Sequence, residues 1–132
     1  MAIVTPTETA IGPGYGEGVL YTWVLTTADH TGKALGPEVL QGVDMCWHAY
    51  AGATWGSATV AAQGSNTDTE AHYGPVNDII GGLAITFTAD GQATKQQGQK
   101  PVYQRPKLTT PGTDASVTVT CTVRKTQLTR RG

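Results

Sequence analysis

The residues of this chain with chemistry beyond packing are His30, His48 and His72, the carboxylates Asp68, Glu70 and Asp78, two Gly-Ser steps and a glycine-rich run. Imidazoles that hold a metal recur at ligand spacing or beside a Cys-x-x-Cys pair. These three do neither, so they read as turn and surface histidines, and no metal or cofactor is expected. Asp68, Glu70 and Asp78 share one polar stretch, where paired carboxylates could serve glycoside hydrolysis or calcium binding. The same stretch reads equally as a solvated loop. A nucleophilic serine needs a strained elbow between strand and helix. Gly56-Ser57-Ala58 and Gly64-Ser65-Asn66 fall instead in strand or turn context. The run Gly12-Pro13-Gly14-Tyr15-Gly16-Glu17-Gly18 is followed by a strand, whereas a phosphate loop opens a helix whose N-terminus meets the anion. No catalytic constellation results, and the expectation is a protein that is not an enzyme.

Cys46 and Cys121 stand among apolar or β-branched residues, the setting of buried reduced thiols. The competing reading is an inter-sheet disulfide of immunoglobulin type with Trp55 as its core tryptophan, although Val119-Thr120 precede the second cysteine where a tyrosine-corner residue would stand. Trp23 and Trp55 lie in strands dense with β-formers and read as buried, while Tyr50 and Tyr73 are the aromatics best suited to exposed contact. Arg124-Lys125 and Arg130-Arg131 make a basic end suited to a solvated tail or to an acidic partner surface.

The elements that must carry these residues are strands. In 132 residues, 17 glycines, abundant threonine and only 14% charged side chains describe short strands joined by tight turns. A net charge of −1 lacks the basic excess of a nucleic-acid or anionic-membrane binder. No apolar run approaches a membrane span and the N-terminus lacks a signal-peptide pattern, so folding in a cytoplasm is expected.

Residues 1–18, punctuated by Pro6 and Pro13, read as an extended N-terminal arm; residues 19–125 read as one domain and 126–132 as a basic tail. Within the domain, strands are expected at Val19 to Thr27, at Val43 to Tyr50 with Val43, Met45, Trp47 and Ala49 on one side, and at Gly56 to Gln63 as the neighbour of the second. Thr67 to Gly82 reads as the longest loop, tacked down by Val76, Ile79 and Ile80. Leu83 to Thr88 alternates strictly, with Leu83, Ile85 and Phe87 inward. Gln92 to Lys100 reads as a solvated loop or weak edge strand, and Val102 to Arg105, between Pro101 and Pro106, as a short or edge strand. Ser116 to Arg124 alternates throughout, giving a core strand with Val117, Val119, Cys121 and Val123 inward and threonines outward. The sum is an all-β chain, a single antiparallel β-sandwich of immunoglobulin-like or jelly-roll-like type.

Several blocks follow one another along the chain: Thr22-Trp23-Val24-Leu25-Thr26-Thr27-Ala28-Asp29-His30-Thr31-Gly32, Thr54-Trp55-Gly56-Ser57-Ala58-Thr59-Val60 running into Gln63-Gly64-Ser65-Asn66, Ile85-Thr86-Phe87-Thr88-Ala89-Asp90-Gly91, Tyr103-Gln104-Arg105-Pro106 and Val117-Thr118-Val119-Thr120. In order and spacing the series resembles the small β-sandwich decoration, or cement, proteins of tailed-bacteriophage heads. Where that family often has Asp-Gly and a tryptophan after the Gly-Ser-Asn turn, this chain has Thr67 to Tyr73, with Tyr73 as the available aromatic. The resemblance implies a virion protein on the capsid exterior, assembled in the host bacterial cytoplasm. It would bind the major capsid protein and itself, as a trimer or a dimer, without nucleic acid or membrane. Pro6, Pro13, Tyr15, Tyr50, Tyr73, Pro111, Arg130 and Arg131 are the candidate partner contacts, with the arm and the turn Thr109 to Asp114 reaching neighbouring subunits. A tail or baseplate protein and a carbohydrate-binding sandwich are the alternatives.

Overall fold

Alternation of apolar side chains decides which strand faces meet, and it does so in the computed structural model, which describes residues 2–12, 18–37 and 43–125. The strands among them are β1 (Ile3–Val4), β2 (Thr7–Ile11), β3 (Gly18–Thr26), β4 (Thr31–Gly32), β5 (Val43–Thr54), β6 (Thr59–Ser65), β7 (Gly74–Pro75), β8 (Thr86–Phe87), β9 (Lys95–Gln96), β10 (Tyr103–Thr110) and β11 (Ser116–Lys125). They form two sheets. The first runs β1-β4-β10-β6-β7, with β8 also on β6; the second runs β2-β3-β11-β5-β9. Only β1 on β4 is parallel among these pairs. The chain is an all-β sandwich.

Tyr21, Trp23 and Leu25 of β3, Met45, Trp47 and Ala49 of β5, and Val117, Val119, Cys121 and Val123 of β11 supply one core wall. Val60, Ala62, Phe87 and Leu108 supply the other, with Val76 and Ile85 beside them. The indoles of Trp23 and Trp47 stack at 5.7 Å between centroids, and alanines at 49, 58 and 62 leave room for that bulk. Cys121 points into this core, where burial pushes its thiol well above the ordinary range. Cys46 is only half-buried, on the outer face of the same sheet. Both thiols are free, and their opposite facing gives an inter-sheet bridge no geometry.

Several expectations are corrected. β6 does not neighbour β5: the turn Trp55 to Ala58, with Gly56 and Ser57 at φ 52° and 65°, carries the chain from one sheet to the other. Trp55 is accordingly only partly buried, its indole N–H donating to Asp90 Oδ1 at 2.8 Å. The segment around Pro106 is neither short nor at an edge, because β10 lies between β4 and β6. The N–H groups of Gln104 and Leu108 donate to Leu35 and His30, so the ring nitrogen of Pro106 faces the same side, where a hydrogen bond is missing without leaving a donor orphaned. Gly32 opposite makes the room: a Cβ there would lie 2.7 Å from the Pro106 ring.

Residues 3–11 are not a free arm. β1 joins the first sheet and β2 the second, so Thr5-Pro6 crosses between them and closes one lateral edge of the sandwich. The opposite edge is closed by a hairpin. β7 and β8 lie in line along β6, and residues 77–84 leave that line and fold back, joined by the Asn77–Ala84 bridge. This hairpin reaches the second sheet, where Asp78 bridges to Gln97 beside β9. Ile79 and Ile80 therefore do not tack the loop onto the core as Val76 does, and Leu83, expected inward, is exposed. Gln97, in the tract expected to be solvated, is buried and accepts the Trp47 indole N–H at 2.8 Å.

Candidate functional site

Residues paired across neighbouring strands present their side chains on the same face, so the register of the second sheet sorts its outward side chains into rows. Val24, Thr118 and Tyr50 make one row; Thr7, Thr22, Thr120 and His48 make the next. Thr9, Leu20, Thr122, Cys46 and Gln96 make a third. The Ile79 N–H donates to Gln96 O at 2.8 Å, which extends this third row onto the hairpin and sets Ile79 at its end. Among the described residues of these rows, formal charge enters only with Arg124 and Asp44, directly opposite each other in the last row.

Threonine suits such a surface because its β-branch fits the pleat while its hydroxyl and methyl keep the face neither charged nor strongly apolar. On it and at its hairpin rim stand most of the exposed large hydrophobic side chains: Val24 (49%), Tyr50 (42%), Ile79 (57%), Leu83 (70%) and Ile80 (83%). Among the described residues, only Ile3 and Val102 of that class lie elsewhere. The His48 ring lies 6.0 Å from that of Tyr50 and meets the buried Phe87 ring edge-on at 6.4 Å, so it turns from this face toward the margin of the core. The arrangement can bury area against a partner without first stripping water from charge.

The outer face of the first sheet is built differently. Arg105 and Lys107 on β10 and Gln63 on β6 point outward, yet Arg105 is only 5% exposed because residues 66–75 fold over it. Its guanidinium donates to both carboxylate oxygens of Glu70 at 2.7 and 2.9 Å and to Gln63 Oε1 at 3.0 Å, and it stacks under the Tyr73 ring at 3.8 Å. The Arg105 guanidinium, assisted by Lys107, lowers the Glu70 carboxyl to about 2. The Tyr73 hydroxyl donates to Asp68 Oδ1 at 2.6 Å, and burial with that carboxylate raises its pKa. Every strong donor of this cluster has an internal partner, so it pins the loop rather than presenting a site.

The candidate contacts foreseen from sequence are not brought together. Tyr50 lies on the threonine face; Tyr73 is half-buried in the Arg105 clamp. Pro6 lies in the crossing between β1 and β2, and Pro111 is half-buried in the turn before β11, its carbonyl accepting the Thr27 hydroxyl at 3.1 Å. Pro13, Tyr15, Arg130 and Arg131 lie outside the described residues. His30, His48 and His72 stand on three separate elements, a β3–β4 turn, β5 and a single 3-10 turn (Glu70–His72). Among the described residues no three His, Cys, Asp or Glu side chains converge as a metal site would require.

Val24, Thr118, Thr120, Thr122 and the hairpin residues were not foreseen as contacts. The outward threonines of β11 were legible as a partly exposed surface, and Ile79-Ile80-Gly81-Gly82 carries a turn signal directly after two large apolar residues. Comparison with protein-family models, curated proteins and solved structures finds no match.

Proposed function

We propose that this chain is a structural protein of a tailed-phage head, binding the outer surface of the shell and bridging neighbouring capsid subunits through the threonine face of its second sheet. The reading is supported by the resemblance in block order and, above all, by that face: nearly uncharged, with Val24 and Tyr50 exposed on it and the apolar hairpin of Ile79, Ile80 and Leu83 along its rim. Strands about 4.8 Å apart and rows about 6.7 Å apart give a patch on the order of 500 Å². That approaches the roughly 800 Å² per partner of an ordinary specific interface, and surrounding turns can supply the remainder. The work done is interface energy, multiplied over many copies.

Expanded heads lacking the protein provide the test. Added protein is expected to co-sediment with them to saturation, and Thr120→Lys, which sets an unpaired charge in the middle of the face, is expected to weaken binding about tenfold or more with melting nearly unchanged. Heads that take up no wild-type protein would overturn the reading; equal binding by Thr120→Lys would move the contact to another surface.

A further inference from the structure

An open sheet ends in strands whose outward N–H and C=O groups can take up another strand. Among the described residues the first sheet ends in β1, β7 and β8, and the second in β9 and β2. β1, β7, β8 and β9 are each two residues long, which is too short to template a partner. β9 is also covered by the hairpin, whose Ile79 N–H donates to Gln96 O at 2.8 Å. β2 is the exception. Its five residues pair with β3 on one side and with no described strand on the other, and Thr7 to Ala10 are exposed. Thr7-Glu8-Thr9-Ala10-Ile11 has three β-branched residues and no proline, so its backbone is well able to accept a further strand. The one charge on β2 points toward the core side. Glu8 lies opposite the buried Tyr21 and Ala10 opposite Val19, which packs on the core, while Thr7, Thr9 and Ile11 face outward. The Glu8 carboxylate stands at the recess it lines with Tyr21, Lys33 and Leu35, and it makes no hydrogen bond or ion pair with another described residue. The fold of a single copy gains nothing from a carboxylate at that place.

We propose that Glu8 guards this edge: its core-facing charge keeps a further strand from adding to β2, so the open end of the second sheet does not grow by strand pairing. A strand laid beside β2 would bring its own core-facing side chain against Glu8 and close the recess over the carboxylate. Taking that carboxylate out of water without a partner is costly. Two copies pairing edge to edge about a two-fold axis, core sides aligned, meet a second penalty. Their Glu8 carboxylates would then lie directly or diagonally opposite each other on one side of the joined sheet, where like charges repel. A charge on the outward side would not have this effect, because it stays hydrated when a strand is added. β3, the strand beneath, shows what the guard protects: its core-facing residues Val19, Tyr21, Trp23 and Leu25 are all uncharged. Contacts through other surfaces leave β2 untouched, and the guard operates whether or not the chain binds a shell.

The experiment uses purified full-length protein with no heads present, and follows growth beyond the wild type's own state by sedimentation velocity and thioflavin T fluorescence. Glu8→Val removes the charge at an exposed position and raises β-propensity. It is expected to form large, thioflavin-positive species at a concentration about tenfold or more below the wild type's onset. Thr9→Val adds the same side chain one residue on, facing outward, and is expected to behave as the wild type. Ala10→Lys combined with Glu8→Val restores a charge at the next core-facing position, also exposed, and is expected to return the protein to wild-type behaviour. Circular dichroism checks that each variant folds, and Glu8→Thr takes the place of Glu8→Val if the latter does not. Glu8→Val protein that grows no further than the wild type would overturn the proposal. Growth of Thr9→Val to the same extent, or growth that Ala10→Lys leaves undiminished, would overturn it too.

Discussion

Arg105 shows how a charged residue can sit under the surface of so lightly charged a protein. Two carboxylate oxygens, one amide oxygen and one aromatic face satisfy it, so its burial is compensated rather than merely tolerated. The pairing has a pH signature. Glu70 protonates at its ordinary 4.5 in the unfolded chain but near 2 in the fold. Its contribution is therefore complete above about pH 5 and is lost as pH falls toward about 2. Glu70→Gln is expected to lower stability by about 1 kcal/mol at pH 7, a modest figure because the carboxylate side is largely exposed, and urea melts should show the difference from wild type shrinking to nothing near pH 2. Gln97 has the opposite character, a neutral side chain buried because the Trp47 indole N–H needs an acceptor. Gln97→Leu is expected to destabilise by roughly 1–3 kcal/mol and to change the tryptophan emission, since that buried donor then has no partner.

At the scale of elements, the fold depends on small residues that let large ones cross the core. Gly32 in β4 illustrates this: a Cβ there would meet the Pro106 ring at 2.7 Å and the Trp23 indole at 2.8 Å. Gly32→Ala is expected to cost about 1–3 kcal/mol in urea denaturation. The double change with Pro106→Ala should recover part of that, while full additivity would show that the two positions do not share the space. β1 and β2 form the complementary case. They close an edge through backbone pairing, and of their side chains only Val4 packs on the core while Thr7 to Ala10 are exposed. Deleting residues 2–11 is thus expected to leave a folded sandwich about 1–3 kcal/mol less stable, with a bared β3 edge that promotes aggregation. Loss of the near-ultraviolet tryptophan signal in that variant would show instead that the segment is needed for the core.

On the scale of the whole molecule, the two sheets present differently built outer faces. On the first, residues 66–75 cover the outward Arg105 and pair with it, while the second presents a nearly neutral face that joins onto an apolar rim. The asymmetry predicts where new charge is tolerated. Thr67→Lys, beside the clamp and exposed, is expected to leave head binding unchanged, whereas Thr118→Lys on the threonine face is expected to weaken head binding about tenfold. Parallel co-sedimentation of the two variants with heads checks the contrast, and equal effects would remove the distinction between the faces.

Alternation by itself determined the inward sides of β5 and β11, because each inward residue sees the same core along the whole strand, and the richness in β-formers gave the all-β class. Local pattern failed where the partner lay elsewhere. Leu83 alternates with Ile85 and Phe87, yet the chain is diverted into a hairpin before β8, and only the β6 edge reveals which two of the three reach the core. Pro106 argued against an interior strand until Gly32, far away in sequence, was seen to accommodate it. Tyr73 read as an exposed aromatic because the guanidinium beneath it arrives from β10. The threonine face was likewise hidden: its rows join residues from six separate stretches of chain, and register between strands is fixed by long-range packing and turn geometry, which no single stretch of sequence contains.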